Sequence, residues 1–297
     1  MRDTLWTRRE VLAGGAAALG VSPFWQALAA AAEQTEGRRF RIGACDWSLR
    51  KRQRPEAFAV AAEIGLDGVE VSFSEPGSEF DLRDEAVRRR YRDESRRHGL
   101  EIASLAMGVL NRIPYAVDPR TEQWVADVVP VMAAMDVRVC LLAFFGKGDI
   151  KGDRTRQDEV IQRLKRVAPT AERAGVVLGV ESQLNADDHM RIVDSVASPA
   201  VKVYYDVANM HAQGYDIYQE IRQLGRERIC QFHMKERRCL LGDGPIDFRR
   251  VKEAIDEIGF GGWLIIEGAT VPDKTLVECY RDNQRFLRSL FLAAKRG

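Results

Sequence analysis

From Arg39 onward the chain repeats one unit eight times: a short apolar run of β-forming residues, a polar loop, then a stretch with helical periodicity. The runs are FRIGAC (40–45), GVEVSF (68–73), EIASLAM (101–107), VCLLAFF (139–145), VVLGVES (176–182), VKVYYDV (201–207), ICQFHMK (229–235) and WLIIEG (263–268). Helices are predicted at 83–98, 122–135, 156–174, 187–196, 247–258 and 275–293, with terminating glycines such as Gly65, Gly99, Gly175 and Gly259. Strands that alternate with helices run parallel through right-handed crossovers, and eight of them close into a barrel. The expectation is one (β/α)8 barrel domain over 33–297. An open doubly wound sheet uses fewer strands and often has a glycine-rich phosphate turn after the first. The segment GACDWSLRK has no such turn.

Residues 1–32 are of another kind. Thr7-Arg8-Arg9-Glu10-Val11-Leu12 leads into an uncharged Ala- and Gly-rich stretch from Val11 to Ala32 that ends in small residues. A basic start, an apolar middle and small residues for a peptidase make a signal peptide, and the paired arginines resemble a twin-arginine export signal. The expected location is periplasmic, with the Tat machinery as a partner. The alternatives are an uncleaved anchor, since the stretch approaches the roughly 20 residues of a span, and a buried N-terminal helix. The 297-residue chain carries 45 Lys and Arg against 44 Asp and Glu, so no net field draws it to nucleic acid or an anionic surface. A small neutral partner fits better. Five cysteines without a CxxC pair argue against a disulfide or zinc-finger framework, and Cys45, Cys140 and Cys230 read as buried thiols.

Catalytic side chains of such barrels sit at the C-terminal strand ends. There the chain has Asp46, Glu75, Lys147, Glu181, Asp206, His233, Lys235 and Glu267. Four consecutive strands each put an acid or a histidine at one level, directly after apolar residues: LGVE, VYYD, CQFH and LIIE. Buried carboxylates repel one another unless they are paired or bind a cation. Three carboxylates with an imidazole suit one divalent ion, Mn2+ first, with Co2+, Mg2+ or Zn2+ also fitting. The bland alternative is that each acid caps a helix or pairs with a base.

On these residues chain 40–297 resembles the xylose-isomerase-like superfamily of sugar isomerases and epimerases. The matching parts are GVES, YYDVANMHAQGYD, FHMKE with LLGDGPIDFRRVKEAI, and GWLIIEG. The resemblance to its ketose 3-epimerases implies that Glu181, Asp206, His233 and Glu267 bind the ion, and that Glu181 and Glu267 also move protons. Two departures bear on the sugar. Asn209 stands where those enzymes have a histidine, with His211 two residues on, and Cys239 stands where they have an arginine, after Arg237 and Arg238. Family members are often dimers or tetramers, so a homo-oligomer is compatible, though no interface signature is visible.

An ion that stabilises an enediolate, flanked by two carboxylates, can support epimerisation, isomerisation or elimination of a β leaving group. The first expectation is therefore an exported isomerase or epimerase of an unphosphorylated sugar. The alternatives are a lyase or dehydratase on 3-keto glycosides or inososes, and a non-catalytic sugar or metal binder. Lys235, Asn209, His211, Trp47 and His189 are candidate substrate contacts. Against this, Lys235 can be a salt bridge, His189 a solvent-facing helix residue, and Trp47, Phe144 and Phe145 rim packing. The arginine-rich run 88–97 is broken by Asp93 and Glu94 and reads as a solvated helix face. Four histidines are too few for the three-metal cluster of endonuclease IV in the same superfamily.

Overall fold

A computed structural model of the chain describes residues 38–292; the predicted leader, 1–32, lies outside them. The strands are β1 (Phe40–Cys45), β2 (Gly68–Ser72), β3 (Glu101–Met107), β4 (Val139–Ala143), β5 (Val177–Glu181), β6 (Val201–Asp206), β7 (Ile229–Glu236) and β8 (Gly262–Gly268). They form a closed barrel in sequence order, every pair parallel, with β1 beside β8. The helices are α1 (Ala57–Ile64), α2 (Glu85–His98), α3 (Arg120–Ala134), α4 (Arg154–Ala174), α5 (Ala186–Val196), α6 (Val207–Ala212), α7 (Ile217–Arg228), α8 (Phe248–Glu257) and α9 (Leu276–Phe291). The predicted (β/α)8 barrel is therefore the observed fold.

Strand alternation sorts the side chains. On β7, Gln231, His233 and Lys235 share one side while Phe232 and Met234 take the other, where Phe232 meets Tyr205 and Phe260 edge-on. Inside the barrel the apolar filling forms two small clusters, Cys45 with Ala103, Trp263 and Ile265, and Ala106 with Leu141, Ala143 and Tyr204. This packed floor leaves the chemistry at the C-terminal end. Several α-helices begin on a capping side chain: Asp84, Asp153, Asn185, Asp206, Asp216, Asp247 and Thr275 each accept backbone N–H groups of the helix that follows.

Three helices fall outside the expected set. The sequence of α1, AFAVAAEI, is apolar nearly all round, so no polar face sets a period. The short α6 begins where the β6 run was expected to continue. Its neighbour α7 is interrupted by Gly225, at φ 68° and ψ 171°. Arg88 to Arg97 lie on α2 and carry surface pairs such as Arg89–Glu85 and Arg97–Glu94, the expected solvated face. All five cysteines are unpaired; Cys45 and Cys140 are buried, whereas Cys230 is half-buried.

Candidate active site

The ends of β5 to β8 converge. Asp206 stands opposite His233 in the β6–β7 register, and Lys235 opposite Glu267 in β7–β8. One ligand atom from each of Glu181, Asp206, His233 and Glu267 lies within 4.8 Å of all the others. His233 Nδ1 is 3.0 Å from Glu181 Oε1, 3.4 Å from Glu267 Oε2 and 3.8 Å from Asp206 Oδ2. Asp206 divides its carboxylate: Oδ1 accepts the Ala208 and Asn209 amides at 2.9 and 2.8 Å, and Oδ2 faces the cluster. Three carboxylates and one imidazole nitrogen at this spacing fit one divalent ion.

The electrostatics divide the two glutamates. Burial pushes Glu181 up to about 7, against the lowering effect of His233. Burial also acts upward on Glu267, but His233, Lys235 and the Trp47 N–H outweigh it and hold that acid down at about 2. Burial raises Asp206, with Lys235 opposing. His233 is disfavoured as a cation by burial, yet Cys45, Glu181, Glu267 and Glu70 together raise it well above its usual range. Two carboxyls whose surroundings push them in opposite directions can serve as proton donor and acceptor at one pH.

The remaining predicted residues divide. Lys235 Nζ donates to Glu267 Oε2 at 2.7 Å and Asp206 Oδ2 at 3.3 Å, so it is part of the cluster and paired with neighbouring strand ends. Trp47 Nε1 donates to Glu267 Oε1 at 2.9 Å, and its ring meets His233 edge-on at 6.1 Å. Asn209 is buried at the start of α6 and accepts from Arg237 at 3.5 Å; His211, on the same helix, is half-buried. His189 requires a correction. It is 1% exposed, and its Nε2 is 2.9 Å from Ser182 Oγ, which also accepts the Leu184 amide. It is thus not solvent-facing; it braces the turn after β5, and burial lowers it to about 4.

Three strand-end residues stand apart from the cluster. Asp46 is buried but bound to Ser72 and the Gln53 amide, Glu75 pairs with Arg112, and Lys147 is exposed. Phe144 is buried against Tyr115. What sequence reasoning missed is Glu70. It lies inside β2, fully buried, with Oε1 2.9 Å from His233 Nε2. Its signal was legible as the single acid within GVEVSF, but attention to strand ends passed over it.

A family described as xylose isomerase-like TIM barrel matches residues 58–290. The chain belongs to that family. Among curated relatives, the 2-epi-5-epi-valiolone 7-phosphate 2-epimerase of Actinoplanes sp. is 26% identical over 208 residues, covering 70% of this chain and 74% of that protein. Among solved structures, the D-psicose 3-epimerase of Clostridium cellulolyticum H10, determined with D-tagatose, aligns with a TM-score of 0.72 at 18% identity. It covers 84% of this chain and 99% of that one. The 3-keto-D-glucoside 4-epimerase YcjR of E. coli aligns with a TM-score of 0.69 at 16% identity, over 84% of this chain and 99% of its own. At these identities the two structures share the fold. By their names, all three proteins are epimerases.

Proposed function

We propose that this protein is a metal-dependent sugar epimerase or isomerase that moves a proton at a carbon next to a carbonyl. The observation that carries the reading is the convergence of Glu181, Asp206, His233 and Glu267, with the two glutamates pushed in opposite directions. Glu181, Asp206, His233 and Glu267 would hold a divalent ion, Mn2+ by preference, which would supply positive charge beside the substrate's carbonyl oxygen. Glu267, held ionised, accepts the proton from carbon. Glu181, which would hold the ion as a carboxylate and which burial pushes upward, would take up a proton from water and return it to carbon. Lys235, donating to Glu267 and Asp206, brings a positive charge to the cluster that would favour an anionic substrate oxygen there. Trp47 fixes the second Glu267 oxygen and presents an aromatic edge beside His233. Asn209 and His211 extend from α6 as candidate hydroxyl contacts.

The substrate in this reading is an unphosphorylated sugar or sugar derivative met outside the cytoplasm, because residues 1–32 read as a twin-arginine leader. That route carries folded proteins, so the ion would be loaded inside the cell, where supply selects it. The names of two structural neighbours, D-psicose 3-epimerase and 3-keto-D-glucoside 4-epimerase, carry no phosphate; that of the Actinoplanes relative does.

The test uses the chain produced with its own leader. Metal analysis should find about one ion per chain by the mononuclear fit, and Asp206→Asn or His233→Ala should abolish it. Incubation in D2O with ketoses, 3-keto glycosides and their phosphorylated counterparts, followed by NMR, reads the chemistry. Deuterium at carbon without fragmentation supports the proposal. Release of an aglycone or water would make the protein a lyase using the same residues, and no exchange on any substrate would make it a binder. Fractionation of the producing cells reads the export: retention of the full-length chain in the cytoplasm would overturn that part.

A further inference from the structure

We infer that Glu70 is the positioning residue of this centre: it accepts the Nε2–H of His233 and thereby turns the Nδ1 lone pair toward Glu181, Asp206 and Glu267. The inference rests on reading that cluster as the metal site.

The proton bookkeeping around Glu70 is closed. Gln231 Nε2 donates to Ser104 Oγ at 2.9 Å and to Tyr204 O–H at 3.0 Å. Both hydroxyl oxygens are thus acceptors from Gln231, and their own hydrogens are free to point elsewhere. They point at Glu70: Ser104 Oγ and Tyr204 O–H lie 2.6 and 2.8 Å from Oε2. The two hydroxyls donating to Oε2 favour Glu70 as a carboxylate, and with Glu70 ionised its Oε1 is an acceptor as well, so the His233 Nε2 at 2.9 Å is the donor. Cys45 Sγ, 3.6 Å from the same nitrogen, has its own hydrogen directed to the Ile266 carbonyl at 3.6 Å. With the proton fixed on Nε2, Nδ1 is the nitrogen left for the cluster.

Two further features serve this contact. The ring of Tyr204 lies 4.6 Å from the imidazole at 59°, so the residue that bonds Glu70 also restricts His233. The register of β2 with β3 shifts between Val69 and Glu70, and that of β6 with β7 between Val203 and Tyr204. A bulge re-aims the side chain beside it, and these two fall at Glu70 and Tyr204, which bond each other beside the ring. Glu70, Ser104, Tyr204 and Gln231 come from four strands and are buried. Partners of this kind set the orientation of a ligating histidine, and removing one commonly weakens metal binding 10- to 100-fold.

The experiment titrates the full-length protein with Zn2+ and follows the imidazole protons by 15N-edited NMR. In the unsubstituted chain the Nε2 proton should persist with and without Zn2+, while the Nδ1 proton is lost on loading. Glu70→Ala should weaken Zn2+ binding about 10- to 100-fold and lose the persistent Nε2 proton. Glu70→Gln, which keeps an acceptor oxygen and the shape, should bind between the two. Tyr204→Phe, which leaves Glu70 and the ring in place, should keep the Nε2 proton with a smaller loss. If the alanine variant does not fold, the glutamine and phenylalanine variants carry the test. Loss of the Nε2 proton on Zn2+ loading, or unchanged Zn2+ affinity in folded Glu70 variants, would overturn the inference alone. A persistent Nε2 proton in a chain that takes up no Zn2+ would overturn the metal reading and reduce Glu70 to a structural partner.

Discussion

Asp206 uses one carboxylate for two purposes, and the division can be tested at the level of single atoms. Its Oδ1 caps α6 while Oδ2 faces the cluster. Asparagine is also a good N-cap, so Asp206→Asn should unfold within about 1 kcal/mol of the metal-free parent in denaturant melts with chelator present while no longer binding the ion. The protonation of the other ligands sets a pH dependence. Glu181 is raised to about 7 and His233 is raised well above its usual range, and both must release protons to become ligands. Apparent metal affinity should therefore rise with pH through 7; calorimetry at several pH values that found a flat profile would contradict this assignment. His189 acts in another window. Its folded value is depressed to about 4 from an ordinary 6.5, so its contribution to stability is complete above 6.5 and is lost as pH falls toward 4. Replacing it with glutamine should flatten the stability curve between those limits by about 3 kcal/mol, as read by urea melts at each pH.

Single elements are tied down by close approach and by caps. A Cβ on Gly68, at the start of β2, would come within 2.5 Å of the Glu101 carbonyl oxygen and 2.7 Å of the Trp263 ring. Gly68→Ala should cost about 1–3 kcal/mol in chemical denaturation. Asp247 accepts the Arg249 and Arg250 amides at the head of α8, so Asp247→Ala should cost about 1 kcal/mol. At this scale the sequence was largely readable, because parallel buried strands are continuous apolar runs and most outer helices keep a polar face. The helices that escaped lacked that contrast: α1 is apolar nearly all round, α6 is short and starts at Asp206, and α7 is broken by Gly225. The site followed the same logic. Glu181, Asp206, His233 and Glu267 were visible because an acid or imidazole ended each apolar run. Glu70 stood out only as the single acid within GVEVSF, and its role from inside a strand shows once its partners on β3, β6 and β7 are seen. His189 misled because a histidine after two aspartates reads as surface, whereas Ser182 holds it inside.

For the whole molecule, the polar residues of the cluster lie at one end of a barrel whose interior is otherwise packed. Loading the site should stabilise the barrel as a unit. An ion at about 100 times its dissociation constant adds about 2.7 kcal/mol, so a chelator should lower the Tm of the parent and leave that of His233→Ala unchanged. The ring of strands also orders events in time. Closure sets β1 against β8, so Trp47, following the first strand, reaches Glu267 across 220 positions of chain. A nascent chain still lacking β8 holds Glu181, Asp206 and His233 but neither the fourth ligand nor the partner of that indole. Completion of the cluster is therefore a report that synthesis has reached the last strand and the ring has shut.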